Sequence, residues 1–299
     1  MKKNNVYDLV YHYYKQIIFI FVPNICNSRC SFCYIKPVFS KNAVLSNIIL
    51  IKTENFVDKA INKGFNEFRI TGGEPLLYDN ISELFSIFKK KNVSYTLLTN
   101  GININKHFDI FEKNRPKKIT IGYHSKINYS SVFGINYNTD ILDENICELC
   151  KRKFNITISV LFLEENKNDI ISHILHLKSL GVNSIKLIYP NNKKIKMSLM
   201  NEFIKTTELV KSISGIDVRY SDLKNNICSM DKRGFLSFFL DNNKIFGCCN
   251  SINNEKLISN INSSNDLEAT ILNFYNVAKK IKEFPCKNNV KFCPIALNK

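Results

Sequence analysis

The sequence predicts an α/β chain in three parts. These are a lead-in over residues 1–16, an open, partial (β/α)6 barrel of TIM type over 17–220, and a small cysteine-rich α+β module, a β-hairpin plus a helix, over 221–299. Three observations predict it. Strand-length apolar runs alternate with amphipathic helical stretches, and such alternation asks for right-handed parallel units. The units number about six, short of the eight that close a full barrel. Beyond residue 220 the alternation gives way to a hairpin signal and one helix, among which stand Cys228, Cys248, Cys249, Cys286 and Cys293.

In chain order, Gln16–Val22 is a continuous apolar run closed by Pro23, as expected of a strand buried on both faces. An amphipathic segment from Thr53 to Lys63 stops at Gly64, and Phe65–Thr71 is the second strand. Asp79 is the expected cap of a helix to about Lys91, followed by a strand over Val93–Leu98 and a turn at Thr99-Asn100-Gly101. A short helix near Lys106–Lys113 leads to the strand Lys118–Gly122. A helix over Leu142–Arg152 then precedes the β-branched strand Asn155–Leu163. Asp169–Leu180 is helical and stops at Gly181, Ser184–Tyr189 is a strand ended by Pro190, Ser198–Ser212 is helical, and Ile216–Tyr220 is a last short strand. In the module, Phe235–Leu240 and Lys244–Cys248 flank Asp241-Asn242-Asn243, a turn suited to positive φ, and a helix runs from Asp266 to Lys282.

At 299 residues and 44% apolar content the chain can bury a substantial core. It contains no run of about twenty uncharged apolar residues, so no membrane-spanning helix is expected. Asp8, His12 and Lys15 interrupt the N-terminal apolar residues, which lack the core of a signal peptide. Ten cysteines in such a chain suggest metal thiolates in a reducing compartment, and the expected location is a cytoplasmic, oxygen-poor one. The net charge of +16 raises the question of nucleic acid. Its lysines are scattered among Ile and Asn, and Lys89-Lys90-Lys91 and Lys193-Lys194 read as solvated faces, so nucleic acid is not the expected partner. A basic surface does suit an acidic electron donor.

Cys26, Cys30 and Cys33 are spaced so that three thiolates from one tight loop can grip three irons of a cubane cluster, leaving the fourth iron open to a small molecule. The competing reading is structural or zinc-binding cysteines, but zinc sites use closed sets of four ligands in x2 to x4 pairs. At the end of the second strand stands Arg69-Ile70-Thr71-Gly72-Gly73-Glu74-Pro75-Leu76. These two motifs, with Phe32 directly before the third cysteine, resemble the radical S-adenosylmethionine (radical SAM) superfamily. The resemblance implies a [4Fe-4S] cluster on Cys26, Cys30 and Cys33 that binds the methionine end of SAM. It places the amino group of SAM at Gly72, Gly73 and Glu74, and its adenine near Phe32. Asn100 and Ser159 are candidates for the SAM ribose, against ordinary turn and strand-end roles. His124 is either a substrate contact or a satisfied structural histidine.

In the module, Cys228, Asn243 and Cys248 resemble the opening of the SPASM and twitch domains that follow radical SAM barrels, with Asn where glycine is usual. Asn is the commonest non-glycine visitor to that left-handed turn. The resemblance implies a second, auxiliary [4Fe-4S] cluster held by Cys228, Cys248, Cys286 and Cys293, with Cys249 as a spare that can substitute for Cys248. A structural zinc on the same ligands is the rival. Cys147 and Cys150, on a helix away from both groups, read as packing.

Taken as a resemblance, this implies an enzyme that cleaves SAM to a 5′-deoxyadenosyl radical and abstracts hydrogen from a peptide or a small-molecule substrate. Its electron donor would be a flavodoxin or ferredoxin. The alternatives are an RNA-modifying radical SAM methyltransferase, a non-catalytic iron–sulfur protein, and the GTP cyclase of molybdenum-cofactor synthesis, whose substrate-contacting arginine Arg69 matches. Phe21 in place of a basic residue, the different C-terminal cysteine spacing and the missing Gly-Gly tail depart from that cyclase.

Overall fold

The computed structural model describes residues 14–33, 35, 37–189, 197–213, 215–219, 234–240 and 244–246. Strand β1 (Tyr14–Phe21) leads through a short ribbon, β2 (Ile25–Cys26) paired with β3 (Val38–Phe39), into α1 (Asn47–Asn62). Then come β4 (Glu67–Thr71), α2 (Ile81–Lys90), β5 (Ser94–Thr99), α3 (Phe108–Lys113), β6 (Lys118–Gly122), α4 (Tyr129–Phe133) and α5 (Thr139–Lys151). They are followed by β7 (Ile156–Leu161), α6 (Ile170–Ser179), β8 (Ile185–Ile188), α7 (Met197–Val210), β9 (Ile216–Arg219), β10 (Gly234–Phe239) and β11 (Lys244–Phe246).

One sheet runs in the order β11-β10-β1-β4-β5-β6-β7-β8-β9, parallel throughout except between β10 and β11. Its two faces differ because side chains alternate along each strand. A belt of cross-strand neighbours, Phe238, Ile20, Ile70, Leu97, Ile119 and Ile156, lies buried under the helices. Full burial of such side chains stabilises by about 1.5–3 kcal/mol each. On the opposite face Arg69, Thr120, Ser159 and Lys186 are only half-buried, as expected of the inner wall of an open barrel.

The alternation of strands and helices stands as the sequence predicts, with several local corrections. Helix α1 starts at Asn47, not Thr53, because Ser46 caps it by accepting from Ile49 N–H, and the Ile-rich first turns hide the amphipathic pattern. Asp79 does not cap α2. The cap position is Asn80, whose side chain is spent on both backbone groups of Leu45 instead. The ribbon β2–β3 and helix α4 were not foreseen. The expected hairpin forms as β10 and β11 and joins the barrel sheet beside β1, where Phe238 stacks on Phe56 of α1 at 3.9 Å between ring centres. Cys228, Cys248, Cys249, Cys286, Cys293 and the expected helix over Asp266–Lys282 lie outside the described residues. Among the described residues no helix is long and apolar enough to cross a membrane.

Candidate functional site

The cysteine loop leaves β1 at the carboxyl edge of the sheet, and the turn after β4 meets it there. Gly72 has φ of +131°, and a Cβ on it would lie 2.5 Å from the Val22 carbonyl oxygen. A Cβ on Gly73 would lie 1.9 Å from the Ile25 carbonyl oxygen. Only glycine permits so close an approach. Glu74 N–H then donates to Ile25 C=O at 2.8 Å, so the turn is fastened one residue before Cys26.

Glu74 is 2% exposed and faces inward from this turn. Its Oε1 accepts from Leu76 N–H at 2.9 Å and from the Thr99 hydroxyl at 2.6 Å, and its Oε2 accepts from Asn100 N–H at 2.7 Å. Burial nevertheless pushes its carboxyl up to about 7, against the three hydrogen bonds that favour the charged form. Glu74 therefore ties the end of β4 to the end of β5. Asn100 continues the tie, because its Nδ2 donates to Asn27 Oδ1 at 2.8 Å and to Ser28 Oγ at 3.1 Å, and lies 4.0 Å from Cys26 Sγ. Asn100 thus braces the loop between the first two cysteines, and Ile102 N–H closes a turn on its Oδ1.

The other flank of the loop rests on α4. Arg29 N–H donates to Phe133 C=O at 2.8 Å and Ser31 N–H to Val132 C=O at 3.3 Å, so the loop takes up carbonyls at the helix end. Gly134 closes this helix at φ +65°, and a Cβ there would lie 2.4 Å from Arg29 C=O. Phe32 meets His124 edge-on at 4.9 Å, and His124 stacks on Phe133 at 5.1 Å. Phe32 therefore lies in an aromatic wall with the ring of His124.

His124 is buried, and burial drives its pKa down to about 3, so its imidazole is neutral. Its Nδ1 stands 2.9 Å from Ser159 C=O and 3.2 Å from Leu161 N–H. One hydrogen cannot serve both contacts, and the shorter makes Nδ1 the donor to Ser159. Asn166 holds this corner by donating to the His124 and Leu161 carbonyls, and Asp169 takes the Ser125 hydroxyl at 2.5 Å and the Asn128 amide at 3.3 Å. No sequence motif announced Asn27, Ser28, Thr99, Gly134 or Asn166. They act through partners far along the chain.

Cys26, Cys30 and Cys33 are free thiols. Burial first, and then neighbouring thiols and Glu74, push Cys26 and Cys30 up to about 12, so the bare loop holds them neutral. A coordinated metal deprotonates such thiols outright. Among the described residues no three His, Cys, Asp or Glu side chains converge on a single ion. Cys147 and Cys150 stand apart on α5, where Cys147 Sγ faces Leu180 C=O at 3.7 Å and a Cβ on Gly181 would touch Cys150.

A family model described as Radical SAM superfamily matches residues 20–177. An S-adenosylmethionine-dependent nucleotide dehydratase of Flammeovirga pacifica is 31% identical over 160 residues, covering 49% of this chain and 55% of that protein. A GTP 3′,8-cyclase of Aquifex aeolicus is 26% identical over 166 residues, covering 52% and 51%. The chain thus spans about half the length of these relatives. The fold is similar to that of Streptococcus suis SuiB bound to its precursor peptide SuiA, with TM-score 0.65, 15% identity, and coverage of 85% of this chain and 64% of that one. It is also similar to anSMEcpe with bound AdoMet, with TM-score 0.58, 16% identity, and coverage of 78% and 74%.

Proposed function

The chain belongs to the radical SAM superfamily, and from that premise we propose that it reductively cleaves SAM and abstracts hydrogen from a small anionic metabolite of nucleotide type. The observation that carries the reaction is the cysteine loop, fastened on one side by Gly73 and Glu74 and on the other by Phe133, at the carboxyl edge of the sheet. Cys26, Cys30 and Cys33 would hold a [4Fe-4S] cluster, which together with SAM supplies the 5′-deoxyadenosyl radical. The chain's part is positioning. The Gly72-Gly73-Glu74 turn fixes the loop in register with β4, Asn100 holds Asn27 and Ser28, and Phe32, set edge-on against His124, offers an aromatic surface beside the third cysteine. Ser159, half-buried on β7 next to His124, faces the same open interior.

The substrate class rests on two supports. Arg69, which pairs with Glu67 at 3.5 Å, and Lys186 lie on the half-buried inner face of the sheet, and a phosphate-bearing molecule there would share their charge with the partners they already have. The sequence relatives named above act on nucleotides. A peptide is the second reading, favoured by the β10–β11 hairpin: among the described residues β11 pairs with β10 alone, a geometry suited to strand addition. Cys228, Cys248, Cys286 and Cys293 are proposed to hold an auxiliary cluster.

Anaerobic reconstitution with iron counting and 5′-deoxyadenosine assay tests this. Wild type should hold about eight irons and release 5′-deoxyadenosine from SAM and dithionite, and the Cys26/Cys30/Cys33→Ala protein should keep about four and release none. A triple variant without iron would remove the auxiliary cluster. SAM cleavage stimulated by peptides but not by nucleoside triphosphates would overturn the substrate class.

A further inference from the structure

Among the described residues three histidines are buried, His107, His124 and His173, at 7%, 5% and 3% exposure. Burial lowers the pKa of each, so all three rings are neutral. Each spends one ring nitrogen on a backbone carbonyl at 2.9 Å: His107 Nε2 on Leu76, His173 Nε2 on Tyr123, and His124 Nδ1 on Ser159. The second nitrogen separates them. Nδ1 of His107 and of His173 is sealed from solvent without a partner, as suits a purely structural histidine. His124 Nε2 also lacks a donor among the described residues, yet it is not sealed.

Gly122 shows where this open nitrogen lies. Residues 118, 120 and 122 of β6 alternate with the buried Ile119 and Ile121, so they belong to the inner face of the sheet. Gly122 leaves that face bare at the carboxyl edge, and a Cβ built there would lie 3.5 Å from His124 Cε1 and 3.7 Å from His124 Nε2. The imidazole, starting two residues later, thus folds back over the barrel interior with its Cε1–Nε2 edge. Phe32 of the cysteine loop meets the ring edge-on at 4.9 Å, Phe133 stacks on it at 5.1 Å, and Asn166 holds the His124 carbonyl at 2.6 Å. Ser159 stands level with Gly122 across the β6–β7 pairing. A ring held in this way, with its Nδ1 hydrogen committed, offers Nε2 as a lone-pair acceptor in one fixed direction.

We propose that His124 is a ligand-binding residue whose Nε2 accepts a hydrogen bond from a ribose hydroxyl in the barrel mouth. This rests on the reading under which SAM and a nucleotide meet there, since both carry a ribose and either can be its source. A neutral lone pair takes a hydroxyl donor and turns away phosphate oxygens, which are acceptors themselves. It also discriminates: a site built to take a hydroxyl rejects the analogue without one, because the site's own polar atom is left unpaired.

The test uses the full chain with its reconstituted cluster, and sets two variants against two ligand series. His124→Asn keeps a polar atom near the Nδ1 position, within reach of Ser159, but has nothing at Nε2. His124→Gln reaches the Nε2 position and gives up Nδ1. Equilibrium dialysis without reductant, so that SAM stays intact, measures Kd for SAM and its 2′-deoxyribose and 3′-deoxyribose analogues. With SAM bound, it then does the same for GTP and CTP and their deoxy forms. In wild type at least one deoxy form should bind about fivefold or more weakly than its parent. That penalty should vanish in His124→Asn and persist in His124→Gln. A penalty in the SAM series makes SAM the source of the hydroxyl, and one in the triphosphate series makes it the substrate. A wild type that binds every deoxy form as tightly as its parent overturns the proposal, with no need of a variant. So does a penalty that survives in His124→Asn, because another residue then takes the hydroxyl. A histidine that only braces the fold would give the reverse pattern, with every Kd unchanged in His124→Asn and all of them weakened in His124→Gln. A wild type that releases no 5′-deoxyadenosine from SAM and dithionite overturns the reading of the cysteine loop itself, whatever His124 binds.

Discussion

The cysteine loop is gripped at two places by the same physical means, yet only one of them carries a motif. On the β4 side, Gly73 lets the turn press against Ile25, and Glu74 N–H bonds Ile25 C=O. On the α4 side, Gly134 lets the helix end press against Arg29, and Phe133 C=O takes Arg29 N–H. Gly73 is required by crowding alone, with the backbone of Ile25 pressed against it. Gly134 is required by crowding and by its left-handed φ of +65°. The cysteine loop is therefore clamped from both flanks by backbone, where side-chain rotation cannot loosen it.

The largest effect should come from Gly73→Ala. Its Cβ would meet Ile25 O, C and N at 1.9, 2.6 and 2.7 Å, all backbone, so the turn must move. A loss of about 3 kcal/mol or more in urea unfolding is expected, with iron retention after reconstitution falling sharply. Wild-type iron content in this variant would show that the β4 clamp is dispensable.

Glu74→Ala should follow. It leaves the Leu76 and Asn100 N–H groups and the Thr99 hydroxyl without their shared acceptor, a cost of about 2–3 kcal/mol, and loosens Asn100 from the cysteine loop. SAM affinity, read by equilibrium dialysis, should drop roughly ten- to a hundredfold. Unchanged affinity would confine Glu74 to bracing.

Gly134 sharpens the comparison through a pair of variants. Gly134→Ala should cost about 2 kcal/mol, from the left-handed backbone and from the contact with Arg29. Gly134→Asn tolerates the φ but keeps the Cβ. If Asn restores stability, conformation is the constraint. If it does not, crowding makes this clamp the counterpart of Gly73.

The smallest effect is a pH dependence in the aromatic wall. His124 has a folded pKa near 3 against an ordinary 6.5, so the native state holds it neutral while the unfolded chain protonates it below 6.5. Its contribution is fully present above pH 6.5 and is lost as pH falls toward 3, about 2 kcal/mol between pH 7 and pH 5. The stability gap between wild type and His124→Gln should narrow by that amount in urea melts over this range. A constant gap would mean that His124 is not held neutral by burial.

Much of the fold and the centre of the site were legible in the sequence because they are local. The spacing of Cys26, Cys30 and Cys33 sets which ligands one loop can offer, and Gly72-Gly73-Glu74 announces a turn that only glycine permits. The alternation of buried Ile and Phe with half-buried residues along each strand, and of strands with helices, needed no distant partner to be read. Helix α4 could not be read this way. Five residues, Tyr-Ser-Ser-Val-Phe, carry too short a period to signal a helix, and its purpose is visible only where Phe133 meets Arg29, over a hundred residues earlier in the chain. The same holds for Asn100. The sequence offered it as a ribose contact or an ordinary turn residue, and only folding shows that its amide meets Asn27 and Ser28. Sequence determined which groups the chain offers and the period at which they recur. Tertiary structure decided which backbone carbonyl each lone N–H would meet, because those pairings arise only when the parallel strands bring distant loops to one edge of the sheet.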